Sequence, residues 1–232
     1  MNDILKLFSR FIGKTLISLS LTIFILTFFA IPLAENVNII SDSLDTEIIL
    51  NDMMKNSEIT LAEAKELCQK NPAQEECDVI NDPSSLLDEQ LEPIVEKAQE
   101  IKPHLFTARI ISVVMFLIGI ILLFIGTSNI YETAYKTSST TLFTLLFYAV
   151  FYKLADKTIP GIAGNLSQQN QEVPKVLLDM AVKAITEWIK TPVKEVFTVC
   201  LILSGASLVV LIASYILKKK YLEKNNPPKG KN

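Results

Sequence analysis

Apolar and charged residues are segregated along this chain into long blocks. A helix needs roughly 20 mainly apolar residues to cross about 30 Å of hydrocarbon. Four stretches of about that length lack Asp, Glu, Lys and Arg, namely residues 15–34, 110–126, 137–152 and 196–217. The pattern predicts an all-α, polytopic membrane protein with four transmembrane helices. The predicted spans are residues 15–34, 109–127, 138–159 and 195–217.

The remaining charges are distributed unevenly and predict the topology. Residues 35–108 hold 17 Asp and Glu against 5 Lys, a net charge of −12, whereas the whole chain has a net charge of −3. Residues 1–14 contribute Lys6, Arg10 and Lys14, and the tail 218–232 holds 6 Lys against one Glu. Basic flanks stay on the cytoplasmic side of a membrane. Both termini are therefore predicted to be cytoplasmic in the cell membrane, which requires an even number of spans.

This topology divides the chain into alternating segments. A helical, acidic extracytoplasmic cap lies between spans 1 and 2. The segments outside the spans are a basic cytoplasmic N-terminus (1–14), the acidic cap (35–108), a cytoplasmic turn (128–137), an extracytoplasmic hinge with an amphipathic helix (160–194) and a basic cytoplasmic tail (218–232). The first span has an alternative interpretation as a signal sequence cleaved after Ala34. Pro32 at the −3 position and the length of the apolar stretch disfavour cleavage. The cap is extracytoplasmic in both interpretations.

The acidic cap has the start and stop signals of short helices. Thr60 followed by Glu63 is a capping box that opens one helix, and the dipeptide before Pro72 ends it. A further helix is predicted to begin near Pro83. Pro93 is a position where that helix splits or kinks, and Pro103 is predicted to end it before span 2.

Two of the three cysteines lie close together in the cap. In an oxidising compartment Cys68 and Cys77 are the plausible disulfide pair, because Cys200 falls inside span 4. Free thiols and a metal pair are the alternatives. With a single histidine in the chain, a Cys/His zinc site lacks ligands. We therefore expect no metal site.

The second outer connection contains a glycine-rich hinge over residues 161–169 and then an amphipathic helix after Pro174. Its apolar stripe includes Val176, Met180, Ile185 and Trp188, opposite a charged face. This interface helix can lie flat at the membrane surface or pack on the acidic cap. The sequence leaves both arrangements open.

Small and polar residues mark the faces on which the spans are expected to pack. They are Gly119 and Gly126 in span 2, and Ser204, Gly205 and Ser207 in span 4. Small residues let helices approach closely in lipid. The same faces can also line a polar pathway.

No sequence motif points to catalysis. The chain lacks a glycine-rich phosphate loop, an HExxH motif and a GxSxG motif, and we expect no enzyme activity, no cofactor and no nucleic-acid partner. The expected function is that of a small accessory, assembly or surface-interaction subunit acting through the extracytoplasmic cap. Its partners are then the lipid bilayer and a membrane or extracytoplasmic protein. The alternative is a channel or transporter subunit formed by oligomerisation of this chain.

Overall fold

The protein is almost entirely helical over the residues that its computed structural model describes, which are 3–42, 44, 46–54, 59–70, 77, 80–169 and 175–225. Those residues form helices and turns and no strand, so the prediction of an all-α protein is confirmed. The helices are α1 (Asp3–Glu35), α2 (Ile39–Asp42), α3 (Thr46–Met53), α4 (Leu61–Lys70), α5 (Pro83–Thr127), α6 (Ile130–Gln169) and α7 (Lys175–Asn225).

The chain forms two compact units. Unit 1 consists of Met1–Phe29, Leu105–Leu154 and Lys194–Asn232, and unit 2 consists of Ala30–His104 and Ala155–Val193.

In unit 1, α1 and α5 form a closely packed antiparallel pair. The Ser9 hydroxyl donates to the Leu122 carbonyl at 2.6 Å, and Arg10 Nε donates to the Gly126 carbonyl at 2.9 Å. Further along α1, Gly13 lies against Gly119. Contacts with later residues of α1 therefore fall on earlier residues of α5. The two helices run in opposite directions.

The direction alternates again through α6 and α7. Contacts between α1 and α6 join Ser18 to Thr144 and Phe29 to Tyr152, so these two helices run the same way. Between α6 and α7, ring contacts join Tyr131 to Tyr221 and Tyr135 to Tyr215, and the Lys153 ammonium lies over the Phe197 ring. Helix α7 thus runs opposite to α6. Consecutive long helices of unit 1 reverse direction each time.

Within the part of the chain that the structure describes, three segments are long and apolar enough to cross a membrane: Asp3–Glu35, Leu91–Thr127 and Leu178–Tyr221. They contain the predicted spans 15–34, 109–127 and 195–217, and they give the chain the character of a multi-pass membrane protein. Helix α6 falls below them in hydropathy, because its apolar core follows the polar run Thr137–Thr141 and is interrupted by Lys153. Its outer surface is nevertheless apolar, since Phe143 is 76% exposed and Phe147 is 60% exposed.

The connection between α5 and α6 is shorter than the turn predicted over residues 128–137. Only Ser128 and Asn129 lie between the helices, with Ser128 in the left-handed region at a φ of 54°. The Asn129 side-chain oxygen accepts hydrogen bonds from the backbone N–H groups of Tyr131 and Glu132. This N-cap starts α6 at Ile130, because it satisfies backbone donors that a helix otherwise leaves unpaired. Residues 130–137 are helical rather than a turn.

Predicted helix breaks are also missing at several positions. The expected hinge at residues 161–169 lies in α6, and Pro93 and Pro103 both lie within α5. Pro192 lies inside α7, where its side chain is buried. A proline removes one backbone hydrogen bond from a helix, and the turns on either side keep their own bonds. The prediction that Pro103 ends a helix was wrong. In α7, the amphipathic segment continues directly into the fourth apolar stretch.

Candidate interaction surfaces

The predicted packing residues of α5 lie where α1 approaches most closely. A Cβ atom added at Gly119 would lie 2.8 Å from Ile17 Cγ1, and one added at Gly126 would lie 2.9 Å from the Lys6 carbonyl oxygen. Both distances are too short for a real contact. The partner glycine is Gly13, which the sequence pattern did not indicate. A Cβ atom added there would lie 2.8 Å from the Gly119 carbonyl oxygen. The small residues on both helices permit this approach.

The packing residues of α7 are divided between two faces. Ser204 is buried, and Ser207 lines a cavity of about 290 Å³ with Thr137 and Thr141 of α6. Gly205 is different, because a Cβ atom added there would meet no atom within 4 Å. The prediction that Gly205 packs inside the bundle is therefore not met within this chain. It follows Ser204 by one position, which on a helix turns it to another face.

Several serine and threonine hydroxyl groups of unit 1 donate hydrogen bonds to backbone carbonyl groups of their own helices. Ser20 donates to the Ile17 carbonyl, and Ser112 donates to the Arg109 carbonyl. Such bonds satisfy a polar side chain inside an apolar helix. The hydroxyl oxygens of Thr137, Thr141 and Ser204 differ, because each is buried and has no hydrogen-bond partner among the described residues.

Arginine 109 marks the first residue of the second predicted span. Its guanidinium lies over the rings of Phe24, Phe28 and Phe106 at 5.9, 5.0 and 5.7 Å from their centroids, and Nη2 donates to the Thr27 carbonyl at 3.4 Å. Stacking on aromatic faces stabilises a cation that has lost part of its water. Arg109 was not among the residues predicted to be important. Its position at the charged edge of an apolar stretch was the available signal.

Glu132 and Lys136 form a partly buried ion pair near the start of α6. Glu132 accepts a hydrogen bond from Lys136 one turn later, and both side chains are less than a quarter exposed. That bond, with additional attraction from Lys136, Lys218 and Arg10, holds the pKa of the Glu132 carboxyl below its ordinary value. The i,i+4 spacing of Glu132 and Lys136 was readable in the sequence. The electrostatic influence of Arg10 and Lys218, which are far from Glu132 in the sequence, depends on the fold.

In unit 2, helix α4 is anchored at its start and along its inner face. The Thr60 N–H donates to Glu63 Oε2 at 2.9 Å, and the Glu63 N–H donates to Thr60 Oγ1 at 3.4 Å, so the predicted capping box is formed. Bonds from the Thr60 backbone N–H and hydroxyl hold the pKa of the Glu63 carboxyl below its ordinary value. Ala64 and Cys68, one turn apart, are buried.

The two cap cysteines lie at disulfide distance. The Cα atoms of Cys68 and Cys77 are 5.2 Å apart, and both side chains are buried. Cys200, by contrast, is a buried free thiol in α7. A second link holds α4 to α3, because Lys65 forms an ion pair with Glu47 at 2.8 Å. Helix α4 is thus held to its surroundings at several points, while Leu67 on its outer side is 51% exposed.

The amphipathic segment of α7 packs in unit 2 through its tryptophan. The Trp188 indole N–H donates to the Leu33 carbonyl at 2.9 Å, and Ala184, one turn earlier, is fully buried. Met180 is half-buried, whereas Ile185 is 47% exposed. The backbone of Val176 is helical, and its side chain lies outside the described residues. The Trp188 contact is with residue 33 of the first predicted span and not with the acidic cap, so the choice between the membrane surface and the cap stays a prediction.

An ion pair adds to the contacts at the end of α1. Glu35 pairs with Lys102 of α5 at 2.8 Å, two positions beyond the carbonyl that Trp188 engages. Val37, in the turn that follows α1, is buried. Three helices, α1, α5 and α7, therefore meet around Leu33–Val37. Among the described residues, no group of three His, Cys, Asp or Glu side chains is arranged to hold a metal ion.

Comparison with protein-family models, curated proteins and solved structures finds no match to this chain.

Proposed function

We propose that the chain crosses the cell membrane four times, with both termini on the cytoplasmic side. Three segments have the required length and hydropathy. The alternating directions of α1, α5, α6 and α7 in unit 1 support α6 as the additional span, because consecutive spans of one chain must reverse direction. The basic residues at both ends support the orientation.

The sidedness of the two termini tests this topology. Single cysteines replacing Lys6 and Lys219 should both resist a membrane-impermeant maleimide in intact cells and react after permeabilisation. A cysteine replacing Gln69 of the cap should react in intact cells. If α6 does not cross, the chain has three spans, and Lys6 and Lys219 will be labelled from opposite sides.

We propose further that the protein is a non-catalytic accessory or assembly subunit that binds another protein through its cap. We call the outer side of α4, formed by Glu63, Glu66 and Leu67, the α4 surface. The observation that supports this proposal is that Leu67 is half exposed on a helix held by a capping box, a cysteine pair and an ion pair to α3. A surface ordered before binding loses little conformational entropy when a partner docks.

The chemistry of the α4 surface defines the partner. Glu63 and Glu66 are exposed beside Leu67, and Glu66 also pairs with Lys70 one turn later at 2.9 Å. The segment 35–108 as a whole carries a net charge of −12. An apolar anchor surrounded by acids suits a protein with a basic rim and an apolar pocket. Complementary charge accelerates encounter and makes binding weaker at high salt.

Site-specific photo-cross-linking in cells tests the proposal. A photoreactive residue at Leu67 should capture one protein in stoichiometric amounts, whereas the same residue at Gln69, which is exposed on the same helix, should capture less. Glu66→Lys should lower capture at Leu67, and raised salt should release the partner after gentle extraction. Cross-links that join only copies of this chain, through the apolar helices, would argue against an accessory role.

One observation favours the alternative of a channel or transporter subunit. The cavity of about 290 Å³ in unit 1 is lined by Thr137, Thr141 and Ser207, and the first two hydroxyl oxygens have no partner among the described residues. Polar groups inside a bundle commonly mark solute pathways. Solute or ion flux in liposomes, lost in Thr141→Val and kept in Thr198→Val, would support this function. Thr198 is a suitable control because it is exposed and donates to the Lys194 carbonyl.

A further inference from the structure

The cavity of about 290 Å³ in unit 1 has a polar side and an apolar side. Thr137 and Thr141 lie one turn apart on the same face of α6, and Ser207 of α7 also lines the cavity. Among the described residues that line it, none is charged. Apart from Ser138, the other lining residues are apolar: Leu21, Phe116, Leu145, Leu203, Ala206 and Val210. The cavity therefore suits a neutral, mainly apolar molecule with one hydrogen-bonding end.

The two threonine hydroxyl groups of the polar side differ from others in unit 1. Thr22 and Thr127 each donate to the carbonyl four residues earlier, at 2.9 Å in both cases. The hydroxyl oxygens of Thr137 and Thr141 are buried and have no hydrogen-bond partner among the described residues. A buried hydroxyl without a partner is costly, because it has lost water and gained nothing in return. A ligand that bonds to these hydroxyl groups removes that cost.

The polar side lies towards one end of unit 1. The rings of Tyr135 and Tyr215 contact each other there, and the Lys218 ammonium lies 5.6 Å from the Tyr135 ring centroid. Tyrosine and lysine are typical of the boundary between hydrocarbon and water. Thr141 follows Tyr135 by about 9 Å along α6, and Leu145 lies about 6 Å further. A molecule in the cavity thus has its polar end near the boundary and its apolar end towards the hydrocarbon.

The cavity opens beside α7. Leu203 and Val210 line it and are 37% and 48% exposed, and Ala206 between them is also exposed. Next to them on the helix, Ile202 and Val209 are 65% and 66% exposed. In the proposed fourth span, this apolar side of α7 faces lipid. The mouth of the cavity is therefore reached from the bilayer rather than from water.

We propose that this cavity binds one neutral lipid whose headgroup carries a free hydroxyl, the chemistry of a diacylglycerol. The headgroup bonds to Thr137 and Thr141, and an acyl chain runs past Leu145 and Phe116 into the hydrocarbon. A phosphate headgroup is disfavoured, because a charge at this depth finds no opposite charge in the lining. The proposal rests on the proposed placement of unit 1 in the membrane and is independent of the α4 surface. It gives the cavity an occupant in place of the solute pathway of the alternative function.

A diacylglycerol with a diazirine in one acyl chain tests the site in the full-length protein in phosphatidylcholine nanodiscs. Irradiation should attach the probe within residues 137–145 or 203–210, as located by peptide mass spectrometry. Unlabelled diacylglycerol should compete, and the same amount of added phosphatidylcholine should not. Thr141→Val keeps the side-chain volume and should weaken probe binding about fivefold, as expected when one hydrogen bond is lost. Thr198→Val removes an exposed hydroxyl outside the lining and should have no effect.

Blocking the cavity gives a second test. Ala206→Phe places a ring at the mouth and should abolish labelling, whereas Val209→Phe, at an exposed position outside the lining, should leave it unchanged. Equal labelling of Ala206→Phe and the natural chain would overturn the proposal, as would equal competition by phosphatidylcholine. Labelling that Thr141→Val leaves unchanged would overturn it in favour of a purely apolar groove.

Two further results separate this proposal from the others. If Ala206→Phe abolishes solute flux in liposomes while the probe attaches elsewhere, the cavity is a solute pathway and the lipid site is overturned. Maleimide labelling of the termini tests the topology independently. A wrong placement of unit 1 in the membrane is therefore distinguished from a failure of the lipid site.

Discussion

Gly119 of α5 faces Gly13 of α1 so closely that a methyl group on Gly119 would lie 3.0 Å from the Gly13 carbonyl oxygen. The same methyl group would lie 2.8 Å from Ile17 Cγ1. Backbone atoms cannot move aside as a flexible side chain can. The two helices therefore depend on the absence of a Cβ atom at this position.

We expect Gly119→Ala and Gly205→Ala to have opposite effects on stability. Alanine at Gly119 must push the helices apart, and overpacking of this kind costs about 1–3 kcal/mol. At Gly205 an added Cβ meets no atom within 4 Å, so the better helix propensity of alanine should stabilise by up to about 1 kcal/mol. Thermal unfolding of both variants in the same detergent measures the difference. Equal destabilisation by both variants contradicts the close α1–α5 contact.

Trp188 should report its contact with Leu33 directly, because it is the only tryptophan in the chain. Trp188→Phe removes the indole donor and should lower stability by about 0.5–1.5 kcal/mol. Brominated lipids should quench the emission of the natural chain weakly, since the ring is half-buried against protein. Ile185→Ser, which changes an exposed neighbour, should leave the emission maximum unchanged. Strong quenching by bromolipids indicates instead that the helix lies at the membrane surface.

Reduction should destabilise the cap through Cys68 and Cys77. A disulfide closing a ring of this size stabilises by about 2–3 kcal/mol in the chain-entropy estimate. Thermal unfolding with and without reductant should therefore differ, and the variant Cys68→Ser with Cys77→Ser should no longer respond. Cys200→Ala should respond to reductant like the natural chain, because Cys200 is a free thiol. An unchanged melting temperature in the natural chain excludes a stabilising disulfide.

The capping box predicts a pH dependence in α4. The pKa of Glu63 is lowered in the folded chain by the Thr60 bonds. Its contribution to stability is therefore present above the ordinary pKa of glutamate and is lost as the pH falls through the lowered value. Carbon-detected NMR titration of the carboxyl should give a low pKa. That pKa should rise only part of the way in Thr60→Ala, because alanine keeps the backbone N–H bond, and it should stay low in Thr60→Ser. The same pKa in the alanine and serine variants would mean that the hydroxyl bond has no influence.

Local features of the sequence were sufficient to predict the helical character of the chain and three of its apolar spans. Hydropathy is a property of consecutive residues. The spans at 15–34, 109–127 and 195–217 can therefore be recognised without knowing which helices pack beside them. The capping box at Thr60 and Glu63 was predictable for the same reason, since its partners lie within one turn. Pro103 and residues 161–169 were misread because local helix breakers do not outweigh the helical turns on both sides.

The tertiary structure decided which faces meet. Ser204 and Gly205 are adjacent in sequence, yet one is buried and the other faces open space. Gly13 became a packing residue only when α1 was placed against α5. Likewise, Arg10 and Lys218 act electrostatically on Glu132 despite their long separations in the chain, because the antiparallel arrangement brings the ends of these helices to the same end of unit 1. The sequence by itself determined the helical character of the chain and which segments suit a membrane. Only the packing of the helices selected the small, charged and aromatic side chains that contact one another.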